Sequence, residues 1–122
     1  VVITKTLLKK VLKKNVVKKV KVQGNIVSYC IKDKEEVTED FISIYELCFK
    51  IKNWALEKSN AFIESATDNY AFNSKGWAGV KFNTSEIISG DDEYDFGICA
   101  KTEVEAIIKA GEWLANKDKT KK

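Results

Sequence analysis

The sequence contains no histidine, no arginine, no proline and no methionine. Without histidine there is no side chain whose ordinary pKa lies near neutrality, so the commonest general base is missing. All 21 basic residues are lysine, and without arginine there is no planar donor fork for bidentate reading of guanine or of a carboxylate. Cysteine is sparse and odd in number. Cys30, Cys48 and Cys99 lie far apart, each in an apolar stretch, which predicts buried thiols in a reducing compartment and not a disulfide framework. No apolar run approaches the roughly 20 residues that span a bilayer, and the basic residues 1–14 lack the apolar block of a secretory signal. A cytoplasmic protein is expected.

What remains is the composition of one globular domain over residues 1–122. Apolar residues make up 44% and charged residues 32%, enough apolar surface for a core and too much for a disordered chain. The net charge of +3 hides an asymmetry. Residues 1–32 hold nine lysines and no acid, residues 33–116 hold eight lysines against seventeen acids, and residues 117–122 add four lysines and one aspartate. A basic arm and a basic tail, the latter expected to be disordered, flank an acidic body. No internal repeat or Pro-rich or Ser-rich linker marks a second domain. The lysine, isoleucine and asparagine usage suggests an AT-rich coding sequence, of bacterial or phage type.

Hydrophobic periodicity supplies the elements. Within residues 5–14, Leu7, Leu8, Val11 and Leu12 fall at helical spacing among lysines, a short basic amphipathic helix or arm. Val20 and Val22 then alternate with Lys19 and Lys21, and after Gly24-Asn25 comes the β-rich run 26–31, a hairpin pattern. From Thr38 the spacing of Phe41, Ile44, Tyr45, Cys48, Ile51 and Ala55 predicts a long helix capped by Thr38. Phe62 allows its continuation to Ala66, with Ser59-Asn60 as the alternative break. Residues 69–72 and 77–83 read as a second hairpin about a turn at residues 73–76, with Ala78, Val80 and Phe82 on one side and Trp77, Gly79 and Lys81 on the other. Tyr94, Phe96, Ile98 and Ala100 alternate inward along a fifth strand. A last helix over 102–116 opens with Thr102 and Glu105 in capping-box spacing and carries Val104, Ile107, Ile108, Gly111 and Leu114 on one face. The expected fold is α+β, a two-layer sandwich in which a mainly antiparallel sheet of about five strands, in the order ββαβββα, has two helices on one face.

Motifs for chemistry fail on inspection. The cysteines have no histidine to activate them. The acidic cluster Asp91, Asp92, Glu93 and Asp95 has carboxylates for a hard cation, but the calcium-loop pattern needs glycine where Phe96 stands and glutamate where Thr102 stands. Gly76-Trp77-Ala78-Gly79 has the outline of a nucleotide-clamping GxxG loop, yet it opens a strand and carries no base between its glycines. No catalytic, cofactor-binding or metal site is expected. Two binding surfaces stand out. Tyr70, Phe72, Trp77 and Lys81, interleaved with Asn, Ser and Gly, have the composition of a protein contact. Lys9, Lys10, Lys13, Lys14, Lys18 and Lys19 can neutralise phosphates on nucleic acid or an anionic surface, or can simply solubilise a helix and an edge strand.

The stretch from Asp95-Phe96-Gly97-Ile98-Cys99-Ala100 through Thr102, Glu105 and Ala106 to Leu114 resembles the strand, T-x-x-E-A cap and helix of HicB-type antitoxins. A long helix between the strands departs from that family's pattern, and no separate DNA-binding unit follows. The function expected is therefore that of a small non-enzymatic protein binding another protein, as an inhibitor, immunity protein or antitoxin does. The alternatives are nonspecific nucleic-acid or anionic-surface binding through the lysines, and an enzyme without a recognisable motif.

Overall fold

Thr4 starts the first helix, α1 (Lys5–Leu12), by accepting the Leu7 N–H at its Oγ1, 3.1 Å away. Lys13 ends it in the left-handed conformation and returns its N–H to the Lys9 carbonyl. Leu7, Leu8 and Val11 are buried, so the amphipathic pattern acts by docking this segment on the body. The computed structural model describes residues 1–69, 74–82 and 94–120, with side chains described over 1–67, 76–82 and 94–117.

Among the described residues two three-stranded antiparallel sheets follow in sequence, each a meander that runs into a helix. The first is β1 (Val16–Gln23), β2 (Ile26–Asp33) and β3 (Glu36–Ser43), leading to α2 (Ile44–Ser59). Its loops are two residues long, Gly24-Asn25 and Lys34-Glu35, and the first residue of each takes positive φ, 60° at Gly24 and 57° at Lys34. The second is β4 (Ala61–Asn69), β5 (Ser74–Phe82) and β6 (Phe96–Ala100), leading to α3 (Glu103–Thr120). Ser43 caps α2 by accepting from Tyr45 N–H, and Thr102 caps α3 by accepting from Glu105 N–H at 3.1 Å.

The helices bury the inner faces of both sheets. α3 packs on β4, β5 and β6, α2 packs on α3 and β4, and α1 reaches β1, α2 and α3. Where the three helices converge, α3 has Gly111, because a Cβ there would stand 2.8 Å from Ile51 Cγ2 and 3.4 Å from Leu7 Cδ1. Leu7, Leu47, Ile51, Ile108, Leu114, Val27 and Val80 are fully buried in one continuous core, each worth roughly 1.5–3 kcal/mol of transfer free energy. At its margin Phe96 stacks on Trp113 with centroids 4.8 Å apart, and the Lys117 ammonium lies over Phe82 at 4.5 Å.

The α+β class agrees with the sequence reading, but in place of one sheet of about five strands with two helices on one face, the described residues form two three-stranded sheets, and the short N-terminal helix joins the two others as α1. The long helix does not begin at Thr38, since residues 36–43 are β3, paired to β2 without a break. Only Ile42 is buried along that edge strand, so no alternation betrays it. Phe41 and Tyr45, placed by spacing on the buried stripe, are 57% and 59% exposed, while Leu47 and Trp54 are buried in their stead. Asn60, in the left-handed conformation, closes α2 at Ser59-Asn60, and residues 61–69 are strand. That strand pairs with β5 where residues 69–72 were expected to do so. Gly76 is in β5 and not in a turn, pressed so closely on Thr102 that a Cβ would overlap its backbone. α3 continues through Lys117 to Thr120, where a tail was expected.

Candidate functional site

The pleat of the second sheet divides its residues cleanly. Ala61, Ile63, Ala78 and Val80 face the helices and are buried. Phe62, Glu64 and Ala66 of β4, Trp77, Gly79 and Lys81 of β5, and Gly97 and Cys99 of β6 take the outer face, which no described helix covers. The register sets Phe62 beside Lys81, Glu64 beside Gly79 beside Gly97, and Ala66 beside Trp77 beside Cys99.

The adjacent glycines make a floor without Cβ atoms, and aromatic rings lie over it. A Cβ on Gly79 would come within 2.8 Å of both Trp77 Cζ2 and Tyr94 Cδ1, and one on Gly97 would touch Trp77 Nε1 at 3.9 Å. Trp77 and Tyr94 meet in a T-shaped pair, the arrangement that the ring quadrupoles favour. The Tyr94 hydroxyl donates to Glu64 Oε2 at 2.6 Å, so one residue on the β6 side ties down the carboxylate of β4 across the sheet. Asp95 causes this placement. Its N–H donates to the Val80 carbonyl and its Oδ2 accepts the Phe82 N–H, a bend that takes Tyr94 out of phase with Phe96. Tyr94 therefore faces outward, against the inward position that alternation predicts.

Trp77, Gly79 and Lys81 share this face, the arrangement that alternation along β5 predicts, with Trp77 and Lys81 half-buried. Tyr70 and Phe72 lie outside the described residues, as do Asp91, Asp92 and Glu93. Phe62, 44% exposed, joins the face, although its spacing allowed the preceding helix to continue through it. Glu64, Tyr94 and Gly97 were not anticipated. The available signal is glycine inside two apolar strands, which marks the close approach of another group.

A second polar group sits between α2, β4 and α3. Lys52 Nζ donates to Ser65 Oγ at 2.8 Å, Ser65 donates to Glu103 Oε2 at 2.5 Å, and Thr67 donates to Glu103 Oε1 at 2.6 Å. The bonds from Ser65 and then Thr67 hold the Glu103 carboxyl below the usual range; burial opposes them to a lesser extent, and the Lys52 charge adds the smallest lowering effect. Both carboxylate oxygens and the serine oxygen are thus engaged, and the group acts as a clamp joining three elements. It borders an open groove of about 550 Å³ between the first turns of α2 and α3, lined by Tyr45, Cys48, Lys101 and Val104 among others. Burial pushes the Cys48 thiol up to about 11, with its Sγ directed at the Val104 carbonyl, so it stays protonated. Cys30 is half-buried and Cys99 exposed, which corrects the expectation of three buried thiols. Both stand on outer sheet faces, where strand parity puts them.

The lysines are dispersed. Lys10 donates to the Ala115 carbonyl at 3.1 Å, Lys13 lies 3.8 Å from Glu57, and Lys14 lies 3.8 Å from Asp40, while Lys9, Lys18 and Lys19 are exposed. Among the described residues no group of His, Cys, Asp or Glu is spaced to hold a metal, and no helix is long and apolar enough to cross a membrane. Comparison with known protein families, with curated proteins and with solved structures gives no match.

Proposed function

We propose that the chain is a small non-enzymatic protein that acts by occupying the surface of another protein, in the manner of an inhibitor, immunity protein or antitoxin. The outer face of the second sheet is the contact. The observation that carries this reading is the seating of Trp77 and Tyr94 over Gly79 and Gly97 on a face that no described helix covers. Rings held rigid before contact lose little entropy on binding, which is why tryptophan and tyrosine dominate protein interfaces. Glu64 and Lys81 supply charges of both signs at the border. The lysine reading is weaker, because Lys13 and Lys14 face acids of the body and the remaining charges are shared between α1 and β1.

The test is a pull-down from the native host with the immobilised chain, followed by titration of the recovered protein against wild type and Trp77→Ala. The variant should melt close to wild type and bind about 2 kcal/mol more weakly, or roughly 30-fold, as loss of a contact hot spot does. Equal binding by the folded variant removes this face from the function.

A further inference from the structure

The two edges of the first sheet are built differently. β1 carries Lys18, Lys19 and Lys21, its pairing with β2 shifts between Val17 and Lys21, and Lys18 takes φ 64°. A bulge and a row of lysines are the devices that keep a sheet edge from pairing with another strand. β3, at the opposite edge, has neither: its eight residues pair with β2 in unbroken register, without lysine, glycine or proline. The bond from Ile44 N–H to the Asn25 carbonyl sets the phase of that ladder. Alternation from it directs the N–H and C=O groups of Val37, Glu39 and Phe41 away from β2. The Phe41 N–H is taken by Asp40 Oδ1 at 2.8 Å, and among the described residues nothing bonds those of Val37 and Glu39. On the outer face this edge reads apolar, acid, apolar, with Val37 44% and Phe41 57% exposed on either side of Glu39.

We infer that β3 is a strand-addition site that takes an extended segment of a partner protein, with a lysine or arginine set between two apolar residues on one face. Backbone bonds to Val37 and Glu39 supply the affinity, and the three outer-face side chains supply the selection. A second copy does not fit. Two β3 strands would bring the acids Glu36, Glu39 and Asp40 close to a second set of the same charge, and the bulge splits the paired part of β1 into short runs, residues 16–17 and 21–23. This surface is separate from the Trp77 face, so the two readings stand or fall independently.

The probe is a capped peptide of sequence Thr-Val-Thr-Lys-Thr-Val-Thr, titrated into the full chain and followed by amide hydrogen exchange and sedimentation. The expected result is saturable binding that slows exchange at Val37 and Glu39, whose amides exchange fast in the free protein, while the amides of Thr38 and Asp40 are protected throughout. Replacing the peptide lysine with glutamate should weaken binding roughly tenfold. Glu39→Pro removes an outward donor without touching the β2 ladder and should abolish binding. Glu39→Lys, which keeps every backbone bond, should reverse the preference between the two peptides. The inference is overturned if the peptide does not saturate, if both peptides bind alike, if Trp77→Ala and not Glu39→Lys alters binding, or if sedimentation shows self-association through this edge.

Discussion

Trp77 and Tyr94 meet edge to face above Gly79, ring centroids 5.0 Å apart and planes at 76°. A methyl group at Gly79 would press on both rings, whereas one at Gly97 meets only Trp77 Nε1 at ordinary contact distance. Gly79→Ala should therefore cost about 1–3 kcal/mol as overpacking does, with a changed near-ultraviolet circular dichroism signal from the displaced tryptophan. Gly97→Ala should cost less than about 1 kcal/mol. Denaturant melts of the two variants check the difference, and equal costs would mean that the rings do not sit over Gly79.

Glu103 couples the clamp to pH. Its folded-state pKa lies below the ordinary value of 4.5, so its ionised form stabilises the fold above that value and the contribution disappears as pH falls through the lower, folded one. Glu103→Gln should lower stability by about 1 kcal/mol at neutral pH, the exposure of the site keeping the effect small. The gap between variant and wild type should close in acid. A gap that is constant with pH would assign the loss to packing.

The thiols should react in order of exposure. Cys99 should be labelled first by a thiol reagent, Cys30 more slowly, and Cys48 only as the chain unfolds, because it is both buried and held as the thiol. Between the ordinary thiol value of 9.0 and about 11 the unfolded chain ionises Cys48 while the folded one does not, so stability should fall with rising pH. Melts of Cys48→Val should lack that part of the decline.

Ile51 and Gly111 are packed against each other. Ile51→Ala should cost about 2–5 kcal/mol, and Gly111→Ala about 1–3 kcal/mol, the clash with Ile51 outweighing the roughly 1 kcal/mol by which a helix prefers alanine to glycine. In the double variant the new methyl occupies part of the space that Ile51 leaves, so the combined cost should fall below the sum by about 1 kcal/mol or more. Additive costs in denaturant melts would separate the two residues.

The sequence by itself determined the elements whose signals are local. Gly24-Asn25 specified the first hairpin because a two-residue loop needs positive φ. Thr102 and Glu105 marked the start of α3, since a cap satisfies backbone groups within one turn, whereas the end of α2 stayed open between Ala66 and Ser59-Asn60 until the left-handed Asn60 and the pairing of residues 61–69 closed it. Alternation along β5 was enough to put Trp77 and Lys81 on the face opposite Val80. Tertiary structure decided whatever depends on a partner distant in the chain. β3 became a strand because β2 pairs with it, although an edge strand with one buried residue has no alternation to show. Division into two sheets followed from α2 turning the chain between them, a matter of packing to which hydrophobic spacing is blind. The outer-face platform was assembled only when β5 and β6 brought Gly79 beside Gly97 and the Asp95 bend turned Tyr94 over them. Close approach between strands is a property of pairs of residues, and a single chain position records only half of each pair.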